Sequence, residues 1–284
     1  MAEWKPTMKA PWTTAKSSAS RTSADVCPKC HGSGWELYTV SPQAVEDVYG
    51  IDNKGCQEFA RKCTRCFGIT KDTYDATNVP DAYRDCDIGK FDLTVYKTLP
   101  KSLAEINKSF VYDFKEWARK NMGLYLWSKT AGSGKTFLAC CLGKSAMMRH
   151  GLTLKFITAV DYINKVSESY TLQQQGITNL PTQPYFDADL LILDDIGTQL
   201  DKPWQNQEMF RLINDRLQNG RPTIYTSNFP IDKLGVDERI KSRIMATTVN
   251  IPMPEESVRN KKAAQSQTDF LARVLNNERI PEKT

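Results

Sequence analysis

The sequence predicts an α/β fold in which helices flank a parallel β-sheet, preceded by a small cysteine-rich domain. From Phe91 onward, short apolar runs alternate with segments of helical periodicity, which is the pattern of an α/β domain. Several of the runs are largely apolar, as expected for strands that are covered on both faces. Five of the eight cysteines lie within residues 27–68, ahead of this pattern.

Length and composition agree with one sizeable domain plus a small one. The chain has 284 residues, with no apolar run long enough to span a membrane and no apolar stretch typical of a secretory signal. We therefore expect a cytosolic protein, in which cysteines stay reduced and bind metal rather than form disulfides. The net charge of +5 permits contact with nucleic acid without requiring it.

The periodicity also places the individual elements. Strands are predicted at residues 123–127, 152–158, 190–193, 222–227 and 247–251. Helices are predicted at residues 135–150, 159–169, 204–219 and 237–245, with a terminal helix within 255–280. Residues 172–186 show no clear period.

These patterns divide the chain into five regions. They are a flexible tail at 1–26, a cysteine-rich domain at 27–70, a polar linker at 71–88, the α/β domain at 89–255 and a helical tail at 256–284.

A glycine-rich loop connects the first predicted strand of the α/β domain to the helix that follows. Its glycines let amide N–H groups point at nucleotide phosphates, and the helix N-terminus adds a positive dipole. We expect Lys135 to bridge the β- and γ-phosphates and the Thr136 hydroxyl to ligate Mg²⁺. The predicted nucleotide-binding residues are Gly132, Ser133, Gly134, Lys135, Thr136 and Phe137.

One position departs from the full phosphate-loop motif, which has a further glycine five residues before Gly134. This chain has Lys129 there. A residue other than glycine fits if its φ angle is negative, and the loop can alternatively start at Ser128. The competing interpretation is a glycine-rich turn that merely precedes a helix.

Two acids follow the apolar run Leu-Leu-Ile-Leu, at Asp194 and Asp195. A buried parallel strand presents such acids at the carboxyl edge of the sheet, beside the phosphate loop. Asp194 is expected to hold Mg²⁺. Asp195 stands where many ATPases have a glutamate that orients the attacking water, and Asp is one methylene shorter. We therefore expect slow hydrolysis, below about 10 per second.

The predicted strand at residues 222–227 ends in polar residues, and Asn228 follows it. In this chain order, Asn228 is expected to lie next to the γ-phosphate and to contact it by hydrogen bonding. An asparagine in an ordinary strand-end turn is the competing interpretation.

Two Cys-x-x-Cys pairs precede the α/β domain, formed by Cys27, Cys30, Cys63 and Cys66. Each pair can supply two thiolates to a tetrahedral Zn²⁺ ion. Cys56 or His31 can replace one of these ligands, and a redox-active cysteine pair is the alternative to zinc. If the four cysteines bind zinc, residues 31–62 are expected to form a hairpin or helix of their own.

Four segments carry a family resemblance: LLILDDIG at 190–197, TIYTSNF at 223–229, ERIKSRI at 238–244 and VPDAYRDCDIGKFD at 79–92. They resemble the magnesium strand, the sensor strand, the arginine-finger segment and the start of the ATPase domain in AAA+ helicase loaders of the DnaC/DnaI type. The IstB transposition helpers belong to the same clan. The resemblance implies a P-loop NTPase fold of the AAA+ type.

By this resemblance, Arg243 is the arginine finger that reaches the ATP of a neighbouring subunit, with Arg239 in reserve. Arg259 resembles the second sensor, which contacts the γ-phosphate in its own subunit. The resemblance further implies ATP-bound subunits that assemble into a spiral and load a hexameric replicative helicase onto single-stranded DNA. The zinc module would then grip the helicase.

Contacts with single-stranded DNA are expected on the second strand and helix of the domain. The candidates are Lys155, Lys165, Tyr162 and Tyr170. For any one of these residues, a half-solvated helix with core tyrosines is the favoured interpretation.

Two further functions stay open from the sequence alone. One is an IstB-type transposition helper ATPase that marks target DNA. The other is a zinc-containing adaptor whose nucleotide pocket does not hydrolyse ATP.

Overall fold

The computed structural model describes residues 29, 35–39, 58–63, 71–97, 102–197 and 202–275. The chain divides into two compact units, residues 1–76 and residues 77–284. None of the helices in the described ranges is long and apolar enough to cross a membrane.

The described part of the first unit is a β-hairpin and a short helix. Strand β1 (Trp35–Thr39) pairs antiparallel with β2 (Glu58–Lys62), and Trp35 lies opposite Lys62. Of the hairpin or helix expected within residues 31–62, the described residues show the antiparallel pairing of a hairpin. Helix α1 (Lys71–Asp75) falls within the stretch predicted as a linker. The predicted tail at residues 1–26 lies outside the described residues.

The second unit is built on a five-stranded parallel sheet, as predicted. Its strands are β3 (Gly123–Trp127), β4 (Leu154–Thr158), β5 (Leu190–Asp194), β6 (Thr223–Ser227) and β7 (Thr248–Pro252). Their order in the sheet is β4-β5-β6-β3-β7, and each neighbouring pair is parallel. Strand β6 therefore lies between β5, which ends in the acids, and β3, which leads into the glycine-rich loop.

Helices connect and cover these strands. They are α2 (Leu103–Tyr112), α3 (Phe114–Arg119), α4 (Lys135–His150), α5 (Ala159–Gln174), α6 (Gln183–Asp187), α7 (Pro203–Gln218), α8 (Glu238–Thr247) and α9 (Val258–Leu275). The predicted bounds agree to within a few residues for every strand of the sheet and for the start of α4, α5, α7 and α8. The stretch without a clear period contains the end of α5 and all but the last residue of α6.

Apolar side chains cover both faces of the sheet. One face forms a cluster with α5, α7 and α8, in which Tyr125, Leu191 and Tyr225 meet residues such as Tyr162 and Ile240. On the other face α4 packs so closely that a Cβ atom on Gly143 would come within 2.8 Å of Ile192 Cδ1. Burial on both sides explains why β5 is fully buried along its length and reads as an uninterrupted apolar run.

A buried arginine holds together the edge of the sheet opposite the acids. Arg216 on α7 is 1% exposed and donates hydrogen bonds to the Thr223 hydroxyl and to backbone carbonyls of four other residues, Tyr185, Phe186, Ala188 and Pro222. Burial lowers the pKa of Arg216 to about 10, which still leaves the guanidinium charged at neutral pH.

Candidate nucleotide-binding site

The glycine-rich loop has the backbone shape that a phosphate cradle needs. Gly132 and Gly134 have φ angles of 78° and 93°, in the left-handed region that L side chains rarely adopt. Helix α4 starts directly after Gly134, so the free N–H groups of its first turn lie at the loop. Ser133 is fully buried within this loop. The loop can therefore direct several amide hydrogens toward one anion.

Lys135 folds back into its own loop. Its Nζ atom donates to the Ser128 and Thr130 carbonyls, both at 3.2 Å, and to Ser133 Oγ at 3.3 Å. Burial lowers the pKa of Lys135, whereas Asp195 and Asp194 act in the opposite direction. These three neutral acceptors solvate a buried ammonium group that a triphosphate would neutralise more effectively.

Asp194 ends β5 and joins the loop to the sheet. Its Oδ1 atom accepts hydrogen bonds from the Thr136 hydroxyl at 2.8 Å and the Thr226 hydroxyl at 2.6 Å. Burial raises the pKa of Asp194, and the two hydroxyl bonds oppose this rise. Two oxygen groups of the kind that Mg²⁺ prefers, the Thr136 hydroxyl and the Asp194 carboxylate, thus converge at one point. The residues present fit a magnesium ion.

Asp195 and Asn228 meet one residue further on. The Asn228 side-chain amide donates to Asp195 Oδ1 at 3.0 Å, and the Asp195 amide donates to Thr226 Oγ1 at 2.9 Å. Asp195 has a φ angle of 55°, an unusual conformation that clusters at functional sites. The predicted water-orienting acid and the predicted γ-phosphate contact therefore occupy the same edge of the sheet.

The departure at Lys129 does not disturb the loop. The described non-glycine residues with positive φ are Asn78, Asn121 and Asp195, so Lys129 has the negative φ that its side chain requires. Its amide donates to Glu255 Oε1 at 3.0 Å, and the neighbouring Thr130 hydroxyl donates to Glu255 Oε2 at 2.8 Å. A carboxylate from the segment before α9 thus fixes the start of the loop.

Arg259 lies beside the loop, at the start of α9. The amides of Val258 and Arg259 donate to the Gly132 carbonyl at 3.0 and 3.2 Å. A Cβ atom on Gly132 would come within 2.9 Å of Arg259 Cβ, so glycine is required there for close approach as well as for its φ angle. Burial raises the pKa of Tyr83, and the nearby Arg259 side chain acts in the opposite direction.

Residues 79–97, which we call the flanking segment, bring aromatic rings to the same place. The Phe137 ring lies 6.2 Å from that of Tyr83 and 6.1 Å from that of Phe91, and the Phe91 and Tyr96 rings are 6.1 Å apart. The Tyr96 hydroxyl donates to the Ser133 carbonyl at 2.7 Å. Phe137, predicted to contact nucleotide, is therefore part of an aromatic group next to the loop.

Arg243 lies elsewhere. Its Nε atom donates to Asn214 Oδ1 at 2.7 Å, and its guanidinium is 4.4 Å from the centroid of the Phe210 ring. Arg239 lies over the same ring at 4.9 Å and pairs with Asp237 at 3.0 Å. These contacts hold both arginines on the α7–α8 surface and not among the residues that surround the loop.

The zinc prediction falls largely outside the described residues. Of its four cysteines, Cys63 alone is described; it is buried and directly follows β2. Within the part of the chain that the structure describes, no group of three or more His, Cys, Asp or Glu side chains is arranged to hold a metal ion.

One of the predicted DNA contacts is wrong. Tyr162 is fully buried in the apolar cluster under α5, so its ring is not available to stack on a base. Tyr170 is 45% exposed but donates to Glu208 Oε1 at 2.6 Å. Burial lowers the pKa of Lys155, and Lys165 is half-buried on α5.

Sequence reasoning missed four residues that shape the site: Tyr83, Tyr96, Thr226 and Glu255. Thr226 carried the clearest signal, because it lies two positions before Asn228 on a strand predicted to reach the site. The other three come from segments that approach the loop only in the folded chain.

The fold and this site define a P-loop nucleotide-binding protein of the α/β class. Comparison with protein families matches residues 107–266 to the IstB-like ATP-binding proteins. The match covers more than half of the 284 residues, and the chain belongs to this family. The resemblance seen in the sequence is thereby confirmed.

Two of the relatives are named as proteins of DNA replication. The chromosomal replication initiator protein DnaA of Francisella tularensis subsp. novicida (strain U112) is 30% identical over 132 residues, which are 45% of this chain and 26% of that protein. The replicative helicase loader DnaC of Buchnera aphidicola subsp. Baizongia pistaciae (strain Bp) is 24% identical over 145 residues, 49% of this chain and 58% of that protein. The chain thus spans less than two thirds of these relatives.

Two solved structures share the fold. A crystal structure of the DnaC helicase loader has a TM-score of 0.50 and 22% identity, covering 62% of this chain and 100% of that one. A crystal structure of DnaI has a TM-score of 0.51 and 18% identity, covering 63% of this chain and 96% of that one.

Proposed function

We propose that the protein is an ATP-dependent loader that delivers a ring-shaped replicative helicase onto single-stranded DNA, with ATP binding and slow hydrolysis as an assembly switch. The observation that carries the proposal is the convergence of Lys135, Thr136, Asp194 and Asn228 at one edge of the sheet. The relatives named as helicase loaders supply the reaction in which such a switch would act.

The chain's own residues would divide the work of binding a triphosphate. Loop amides and Lys135 would take the phosphate oxygens, and Thr136 and Asp194 would hold Mg²⁺. When bound, Mg²⁺ supplies positive charge that offsets the charge of the phosphates. Arg259, whose backbone amide donates to the Gly132 carbonyl of the loop, would contact the γ-phosphate from the same subunit.

The hydrogen bonding of the Asp195 side chain supports slow hydrolysis. Its short side chain is engaged by the Asn228 amide, so it has to leave this partner or share it before it can orient a water molecule. A turnover number well above about 10 per second for the purified protein would contradict this part of the proposal.

Arg243 supports a switch that works through assembly. It lies away from its own phosphate loop, on the α7–α8 surface, where Asn214 and Phe210 hold it. An arginine in this position would complete the site of a neighbouring subunit, and head-to-tail stacking that does not close into a ring generates a spiral.

A zinc module at the N-terminus remains part of the proposal. Its support within the described residues is Cys63, which is buried and directly follows β2. Metal analysis of freshly purified protein, prepared without chelators, is expected to find one zinc ion per chain. Metal-free protein that remains folded would remove the module from the proposal.

The decisive experiment is a pull-down of purified replicative helicase by the full-length chain, with ATP and with ADP. The proposal expects helicase capture that depends on which nucleotide is present, and ATPase activity that changes when single-stranded DNA is added. The matched control is Lys135→Ala, which removes the phosphate contact and should abolish the nucleotide dependence. Equal capture with ATP, ADP and no nucleotide would refute the switch.

The family match also favours a second candidate, a helper ATPase for transposition. It predicts nucleotide-dependent binding to double-stranded target DNA and no capture of helicase. The same preparations, tested on duplex DNA, distinguish the two functions.

A further inference from the structure

Tyr96 touches the phosphate loop at its most constrained point. Its hydroxyl donates to the Ser133 carbonyl at 2.7 Å, in a buried contact across 37 residues of chain. A Cβ atom on Gly134 would lie 2.5 Å from the same hydroxyl oxygen. The tyrosine hydroxyl thus occupies the space that any side chain at position 134 would need.

This contact fixes the direction of one peptide group. In a trans peptide the C=O and the following N–H point in opposite directions, and the described residues contain no cis peptide bond. Because the Ser133 carbonyl is directed at Tyr96, the Gly134 N–H is directed away from Tyr96. That N–H belongs to the glycine directly before α4, where phosphate loops present amides to the anion.

Tyr96 is itself held in place from two sides. Its ring packs 6.1 Å from that of Phe91, and the amide of the next residue, Lys97, donates to Glu256 Oε1 at 2.8 Å. Only 7% of Tyr96 is exposed. Burial, together with Glu256, raises the pKa of Tyr96 to about 12, so the hydroxyl keeps its proton and remains a donor at physiological pH.

We propose that Tyr96 is a positioning residue for nucleotide binding, which holds the Ser133–Gly134 peptide so that the Gly134 N–H faces the phosphates. The inference rests on the proposed function, since it takes the loop to bind a triphosphate. It adds that the flanking segment prepares the loop before nucleotide arrives. Without the hydroxyl, the peptide can rotate, and binding has to supply the free energy that orders it.

The test compares full-length wild type and Tyr96→Phe by calorimetric titration with ATP. Loss of one hydrogen bond that orients the loop is expected to weaken ATP binding about fivefold to tenfold. The effect should appear in the KM for ATP, with kcat changed less than about twofold, because Tyr96 does not reach the transferred group. Tyr125→Phe is the matched control, since it also removes a 2.7 Å bond from a tyrosine hydroxyl to a backbone carbonyl, that of Phe229.

Equal ATP affinity of wild type and Tyr96→Phe overturns the inference and leaves the proposed function standing. A wild type that does not bind ATP removes the proposed function itself. If Tyr125→Phe weakens ATP binding as much as Tyr96→Phe does, the effect is a general loss of stability and the positioning role is refuted.

A double-mutant cycle with Gly134→Ala gives an independent reading. In the wild-type background the added methyl group meets the Tyr96 hydroxyl oxygen at 2.5 Å, whereas the next Tyr96 atom, Cζ, is 3.8 Å away. The strain from the positive φ angle is the same in both backgrounds and cancels. Gly134→Ala should therefore reduce ATP affinity by a factor at least about threefold smaller in Tyr96→Phe than in wild type. Equal factors refute the pairing.

Discussion

The Thr226 hydroxyl connects both acids of the site, and Thr226→Val removes it with little change in volume. The hydroxyl donates to Asp194 Oδ1 at 2.6 Å and accepts from the Asp195 amide at 2.9 Å. A hydrogen bond to an ionised carboxylate contributes about 1.5–3 kcal/mol, and an amide left without a partner costs about 1 kcal/mol or more. We therefore expect the free energy of unfolding to fall by about 2–4 kcal/mol.

The same change should appear in function. Mutation of a hydrogen-bond partner of a metal-binding carboxylate typically lowers metal affinity 10- to 100-fold. The Mg²⁺ concentration for half-maximal ATPase activity should therefore rise about tenfold or more. Burial raises the pKa of Asp194, and the Thr226 bond opposes that rise. Without the bond the pKa of Asp194 rises further, so the acidic limb of the ATPase–pH profile should move to higher pH.

The assays are urea unfolding and ATPase titrations with Mg²⁺ at several pH values. Thr226→Ser is the control, because it keeps the hydroxyl and should restore the Mg²⁺ dependence. The pH dependence of stability has a definite sign. A buried acid with a raised pKa favours the folded state at low pH, where it is protonated, and this contribution is lost as pH rises through the folded-state pKa. The stability difference between wild type and Thr226→Val should thus shrink in acid. Unchanged Mg²⁺ dependence in Thr226→Val would refute the reasoning.

Three further changes test other parts of the structure. Lys129→Gly should leave ATP affinity within about twofold of wild type, because the native φ is already negative. It should slightly lower the free energy of unfolding, because glycine adds freedom to the unfolded chain. A large gain in ATP affinity, measured by calorimetry, would contradict this. Arg216→Met should lower the free energy of unfolding by about 3 kcal/mol or more in urea, since it strips the donor from several buried carbonyls, and a loss below about 1 kcal/mol would argue against that role. Arg243→Ala should lose most ATPase activity and regain part of it when mixed with Lys135→Ala subunits, which still provide the arginine; no recovery at any mixing ratio would exclude a role in a neighbouring site.

Most of the sheet could be predicted because burial on both faces leaves a direct trace in the sequence. The sequence of β5 is an apolar run that ends in acids. The glycine-rich loop predicts a strand before it and a helix after it. The predicted positions of the phosphate-loop residues, Asp194 and Asn228 at one edge of the sheet have the same basis. Each of them lies at the end of an element whose period is visible.

The remainder depends on the order of strands and on contacts between distant segments. Nothing in the local pattern says that β6 lies between β5 and β3, yet this order is what sets Thr226 against Asp194. The bonds of Tyr96 and Glu255 to the loop join residues that are 37 and 126 positions apart. The prediction that Tyr162 contacts DNA was wrong for a related reason. Its place in the helical period fits a buried side chain and an exposed one equally well until the neighbouring helix is known.

The hydrogen bonds around the loop offer a route by which nucleotide binding would affect segments outside the site. Glu255 bonds to the start of the loop, and its neighbour Glu256 bonds to the amide of Lys97 in the flanking segment. Gly132 accepts from the first amides of α9. A movement of the loop on binding phosphate would therefore act on both the start of α9 and the flanking segment. The Gly132 carbonyl accepts from the first two amides of α9 at 3.0 and 3.2 Å, and the Ser133 carbonyl accepts from the Tyr96 hydroxyl at 2.7 Å. Coupling of this kind needs two alternative arrangements of the segments bonded to the loop.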